Sequence, residues 1–189
     1  MNPSQLQHPA VPGRRFEHDQ SRCLFDPVMR EMMSNVTSGD RLGAIEALGA
    51  LRWAAKGLHL MMERWADVHG LSEGRLQILF RLRHQPQAGV ALGDLATMLN
   101  VSPRNVTGLI DTLERDGLVE RVHDTEDRRS IQARLTPDGR ERIEAIWDGA
   151  FDHQVPITKG LTEKELIQLR HLCLRLVENM NALGRGEEK

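Results

Sequence analysis

The hydrophobic period of this chain changes at one point, and that change limits what the chain can become. Leu92, Leu95, Ala96 and Leu99 recur at helical spacing. Asn100 and Val101 leave room only for a tight turn. Ser102 then stands as an N-cap, with Pro103 at the first helical position. Val106, Leu109, Ile110 and Leu113 form the inner face of the next helix, and Gly117 ends it. Past Gly117 the pattern alternates. Leu118–Val122 reads as a strand, and Ile131, Ala133 and Leu135 alternate with Ser130, Gln132 and Arg134, giving a strand with one buried face. Two short helices joined so tightly, then a hairpin, predict a helix-turn-helix followed by a wing. The tip of that wing is Thr125–Ser130, "TEDRRS".

The flanking sequence predicts more helix. Met1–Gln20 is rich in Pro, Gln, His and Arg and reads as a disordered tail. Asp26 and Pro27 then open a short helix carrying Val28, Met29, Met32 and Val36, which "TSGD" breaks. A long helix is expected from about Arg41 to His69, capped by Asp40, with a seam of Leu42, Ile45, Leu48, Leu51, Ala55, Leu58, Met62 and Trp65. Gly70 stops it, and Ser72 caps the next, with Leu76, Leu79 and Phe80 on one face. After the wing, Thr136 and Pro137 open a helix that runs to about Val155, where Pro156 interrupts it. Thr162 and Glu165 have capping-box spacing, and Leu161 and Leu166 are placed as a hydrophobic staple. The last helix carries Leu166, Leu169, Cys173, Leu176, Met180 and Leu183 in steps of three and four, a seam that suits either a partner subunit or the core. "GRGEEK" reads as a frayed end.

The expected class is mainly α with a small β-hairpin wing. The organisation is an N-terminal extension (1–40), partly disordered with one short helix; a dimerisation helix (41–70); a winged helix-turn-helix (71–135); and C-terminal dimerisation helices with a tail (136–189). No apolar run approaches the roughly 20 residues that span a bilayer, and no basic stretch leads an apolar one at the N-terminus, so a cytoplasmic location is expected. Cys23 and Cys173 are too few and too far apart for a disulfide framework or a zinc site. The histidines are scattered without a ligand pair at i, i+4, so no metal is expected, and no cofactor either. No Gly-rich phosphate loop or nucleophile motif points to an enzyme.

Net charge is −2, so DNA binding has to rest on where the basic residues sit. Opposite the apolar face of the Ser102-capped helix lie Ser102, Arg104, Asn105, Thr107 and Gly108. Arg bonds guanine bidentately and Asn bonds adenine, while Gly108 permits close approach of the backbone. Free N–H groups at the helix start suit a phosphate. The bland reading is an ordinary polar surface. At the wing tip, Arg128 and Arg129 suit a minor groove, whose negative potential is strongest where it narrows; the alternative is a solvated turn. Asp127 or Asp111 can tether an arginine head. Arg121 and Arg134 on the wing strands suit phosphate contacts and plain solubility equally.

The stretch Leu92–Glu144 resembles the MarR family of bacterial transcription regulators, most specifically in "LERDGLVER", "DTEDRRS" and "LTPDGRE". The resemblance extends over about Arg41 to Leu183. It implies a homodimer on a pseudo-palindromic operator in double-stranded DNA, a repressor more often than an activator, with a wing arginine in the minor groove. That role falls first to Arg129 and second to Arg128. It also implies that Asp111 associates with a wing arginine. Many members have an arginine just after that aspartate; here it is Thr112, which shifts a phosphate contact towards Arg115. The resemblance further implies a small effector, often an aromatic or phenolic acid, bound between the dimerisation helices and the winged helix. Trp53, His59, Met62 and Trp65 are candidates to line its pocket, against a reading in which each is core. Thiol-redox control through Cys23 is the alternative mechanism, although the chain has no tyrosine to hold such a thiolate. A winged helix serving only protein–protein contacts is the alternative function.

Overall fold

Local capping sets most helix starts. In the computed structural model, which describes residues 15–85, 89–123, 131–150, 152 and 154–186, Asp26 accepts from the backbone N–H groups of Val28 and Met29 at the head of α1 (Pro27–Ser34). Ser72 accepts from Arg75 N–H at the head of α3 (Glu73–Arg83), and Ser102 from Asn105 N–H at the head of α5 (Pro103–Arg115). Each satisfies one of the donors a helix start leaves open. Between these lie α2 (Asp40–Val68) and α4 (Leu92–Leu99). Asn100 in the left-handed region closes α4 and forms the tight turn into α5.

The helix-turn-helix leads into β4 (Val119–His123) and β5 (Ile131–Leu135), antiparallel with Arg121 opposite Ala133. The wing is mainly as expected, with one addition. A two-residue strand, β3 (Val90–Ala91), pairs with the far edge of β5, giving a three-stranded sheet in the order β3-β5-β4. The core of this unit collects Leu76, Ile78, Leu79 and Leu82 of α3, Leu95 of α4, Val106, Ile110 and Leu113 of α5, Val119 and Ala133. These apolar faces are what hold α5 down while its other side stays in water.

The described residues form two compact units that meet at the Thr136–Pro137 bond. The second contains α6 (Pro137–Ala150), a 3-10 turn at Val155–Thr158 and α7 (Glu163–Gly186). The α7 capping box is closed in both directions: Thr162 N–H and Oγ1–H donate to Glu165 Oε2, and Glu165 N–H donates back to Thr162 Oγ1. Those hydrogen bonds, backbone first, hold the Glu165 carboxyl below its ordinary pKa.

Several expectations need correction. Residues 15–20 are not all tail: β1 (Glu17–His18) pairs with β2 (Leu24–Phe25), its turn held by Asp19 Oδ1, which accepts from Ser21 and Cys23 N–H. Residues 1–14 lie outside the described residues. Asp40 is not the cap of α2 but its first residue; Gly39, at φ +59°, is the cap and makes no side-chain bond. Ile131 shares the face of buried Ala133, but at the start of β5 its own side chain is exposed. α6 ends at Ala150, before Val155, and Pro156 falls in the 3-10 turn, where its fixed φ is tolerated. "GRG" is not frayed, because α7 continues through Gly186. Leu161 of the expected staple is exposed.

Candidate nucleic-acid interface

α5 is divided lengthwise. Val106, Ile110 and Leu113 are fully buried, and Leu109 packs so closely on α3 that a Cβ on Gly74 would lie 3.1 Å from its Cδ1. The opposite side exposes Ser102, Arg104, Asn105, Thr107, Gly108, Asp111 and Arg115. Two of its hydroxyls are bonded to their own helix: Thr107 donates to Pro103 C=O (3.0 Å) and Thr112 to Gly108 C=O (3.1 Å). Arg115 donates to Thr112 Oγ1 (3.2 Å). Among the described residues, the side chains of Arg104 and Asn105 have no such partner. They present guanidinium and amide donors outward from the first turn. Gly108 has a helical φ and open space where a Cβ would stand. Its own fold therefore does not require glycine there, although glycine inside a helix is unfavourable by roughly 0.5–1 kcal/mol relative to alanine.

The far end of α5 is tied to the wing. Arg121 on β4 reaches back across the Gly117 turn and donates from Nη2 to Asp111 Oδ1 (2.5 Å) and from Nη1 to Glu114 Oε2. Glu114 Oε1 also accepts from Arg121 N–H (3.2 Å). Partial burial opposes the charge on Arg121, but the hydrogen bonds to Asp111 and Glu114 outweigh it and raise its pKa. Arg121 is thereby spent on the protein itself, which leaves it poorly placed for a phosphate. Arg134 is similarly engaged: its Nε donates to Glu120 Oε1 (2.8 Å), the residue directly opposite on β4. The sequence reading missed the Glu114 contact. Its signal was present in "LERDGLVER", where the helix end and the strand start fold back on each other. Asp127, Arg128 and Arg129 lie outside the described residues.

The four residues expected to line an effector pocket do not share one narrow face of α2. On α2 they step through about 240° of helix circumference at 100° per residue. Trp65 is core: it is 2% exposed, stacks on Phe80 (centroids 6.1 Å, 26°) and meets the His69 ring edge-on (5.1 Å). His59 Nδ1 pairs with Glu73 Oε2 at the start of α3. Met62 is half-buried and Trp53 is 37% exposed. Cys23 is exposed in the β1–β2 hairpin, with Sγ 3.8 Å from Ser21 C=O. Among the described residues no group of His, Cys, Asp or Glu could hold a metal, and no helix is long and apolar enough to cross a membrane.

Comparison with known proteins places this arrangement among transcription regulators. The model of the MarR family matches residues 71–131. The chain is 34% identical over 123 residues to the HTH-type transcriptional repressor YetL of Bacillus subtilis (strain 168), covering 65% of this chain and 74% of YetL. It is 32% identical over 135 residues to the transcriptional activatory protein BadR of Rhodopseudomonas palustris, covering 68% and 75%. Among solved structures it is similar to BpsR of Bordetella bronchiseptica, described in connection with regulation of its DNA binding by 6-hydroxynicotinic acid. The TM-score is 0.62 with 25% identity, over 68% of this chain and 91% of that one.

Proposed function

The chain belongs to the MarR family, and from that premise we propose that it is a homodimeric, effector-responsive repressor whose paired α5 helices read a pseudo-palindromic operator. It is a DNA-binding transcription regulator. The observation that carries our reading of its interface is the division of α5: an inner face locked in the core, and an outer face on which Arg104 and Asn105 keep their donors for something outside the protein. In a major groove these two residues discriminate guanine and adenine. Ser102 and Thr107 flank them, Gly108 lets the helix lie close, and Arg115 meets the backbone further along. Arg129, and secondly Arg128, enter the adjacent minor groove, with Asp127 steadying them.

A single winged helix reads too few base pairs for specificity, so two half-sites are needed, about 34–36 Å apart. The unit containing α7 supports a paired state, because Leu169, Leu172, Val177, Met180 and Leu183 are all exposed on the single chain. Exposed large apolar residues gathered on one helix face are the kind of surface an interface covers. Repression follows the naming of YetL, whereas BadR is named as an activatory protein. The effector we propose is a small aromatic or phenolic acid. Trp53, His59 and Met62 are the α2 positions offered to it, with Trp65 supporting the helix from the core. Binding would act by changing the separation of the two α5 helices.

The test is fluorescence anisotropy against the DNA flanking the protein's own gene, over a range of salt, for the wild type and Arg129→Ala. Tight, salt-dependent binding to one fragment, weakened in the variant, is expected. Weak binding that does not distinguish fragments and is unchanged by the substitution would overturn the reading, and would favour a winged helix that serves a protein partner.

A further inference from the structure

One guanidinium gathers three separate elements behind α5. Arg75, in the first turn of α3, donates from Nη2 to Gly70 C=O (3.2 Å), just past the end of α2. Its Nε lies 3.4 Å from Ser72 Oγ, the cap of α3. Its Nη1 reaches Asp116 Oδ2 (3.0 Å), the C-cap of α5, which is 41 residues away in sequence. The Arg75 side chain is only 20% exposed. From these contacts we infer that Arg75 is a positioning residue for DNA readout, fixing the angle of α5 against the α2–α3 corner. The inference rests on the reading of α5 as the helix that enters the groove.

The buried face of α5 holds it against the core, but the hydrophobic effect is non-directional and does not by itself select one angle. Apart from the Arg121 clamp, which ties α5 to the wing, two close contacts set the angle of α5 against α3. One is Leu109 against Gly74, where a Cβ on the glycine would lie 3.1 Å from Leu109 Cδ1. The other is the Arg75–Asp116 bond, seven residues along α5, about 10 Å from the first at 1.5 Å per residue. With the second released, Leu109 is left as a pivot. Arg104 lies five residues to the other side, so a swivel of about 10° moves its backbone by about 1.3 Å. Hydrogen bonds to base edges tolerate a spread of only about 0.5 Å. Sequence readout is therefore lost before the fold is. Phosphate attraction, being long-ranged and non-directional, largely survives. Lysine cannot replace arginine here, because one ammonium does not span the three directions that the planar fork does.

The test compares the wild type, Arg75→Lys and Asp116→Asn. Two probes are used: a labelled duplex enriched from random sequence by the wild-type chain, and a scrambled duplex of the same length. For Arg75→Lys the expected result is about tenfold weaker binding to the enriched duplex, unchanged binding to the scrambled one, and a melting temperature within a few degrees of wild type. Equal weakening on both duplexes, or no weakening on either, overturns the inference. Asp116→Asn gives the same comparison if Arg75→Lys fails to fold. A second arm needs no DNA. Amide hydrogen exchange in the free protein should speed up at Leu71, beyond α2, when Asp116 is changed, as well as at Leu118, beyond α5. Acceleration confined to the α5 end overturns the strut. If the wild type enriches no sequence at all, the functional reading fails, and the exchange arm alone decides whether Arg75 couples the two corners.

Discussion

Asp111 and Arg121 are joined across the recognition-helix-to-wing turn by a 2.5 Å bond, with Glu114 holding the same guanidinium from one turn further along α5. The pair makes the base of the wing part of the same rigid body as α5. Removing Arg121 does two things: it releases the strand, and it leaves two carboxylates uncompensated on the outer side of α5, which under the proposed function would repel phosphate. Arg121→Ala should therefore weaken operator binding at least about tenfold. Its effect on stability should be small, about 1 kcal/mol or less, because Asp111 is mostly exposed and such pairs are screened. Anisotropy titration beside urea unfolding checks both. A loss of stability with unchanged binding would contradict this account of the clamp.

Gly108→Ala separates folding from function by sign. A Cβ there meets nothing within 4 Å, so the alanine should stabilise the chain by roughly 0.5–1 kcal/mol through helix propensity. The same methyl should weaken operator binding by standing between the helix and the groove. Thermal unfolding and DNA titration of one variant are sufficient. A variant both more stable and equally tight would remove Gly108 from the interface.

The N-terminal extension is locked to α2 by shape. Met29 of α1 sits where a Cβ on Gly49 would be, colliding with its Sδ and Cε, and Arg30 forms a two-point bond to Glu46 (2.6 and 3.0 Å) while lying 3.7 Å over the Phe25 ring. Gly49→Ala should displace α1 and expose the 35–39 link to limited proteolysis. Adding Met29→Ala should restore much of the protection, because the two changes share one volume. Equal cleavage in the single and double variants would contradict it.

Glu165 supplies a pH dependence. Its pKa is lowered in the folded chain, so its contribution to stability is present above the unfolded carboxylate value, about 4.3, and is lost as pH falls through the lower, folded value. Glu165→Gln should lower the melting temperature near neutrality, and the difference should shrink in acid once the wild-type carboxylate is protonated. A gap that widens on acidification would reverse the assignment.

What was legible in the sequence follows from how local each signal is. Caps are written in one or two residues, so Asp26, Ser72, Ser102 and Thr162 placed four helix starts. The outer face of α5 was readable from spacing alone, since 3.6-residue periodicity needs no tertiary knowledge. Two-residue strands have no period to detect, which hid β1, β2 and β3. Gly39 capped α2 through a positive φ, whereas the sequence offered the better-known capper Asp40. Arg75 went unread because its role is fixed by a partner distant in sequence, Asp116, and no local pattern names a partner.

The most direct test of α5 as the reading element is selection of binding sites from random duplex DNA by the wild type and by Asn105→Ala. The wild type should enrich a sequence with two half-sites about one helical turn apart. In the variant, preference should relax at one position in each half-site and remain elsewhere. An identical enriched sequence from both proteins would mean that Asn105 reads no base, and that the outer face of α5 is not the reading surface described here.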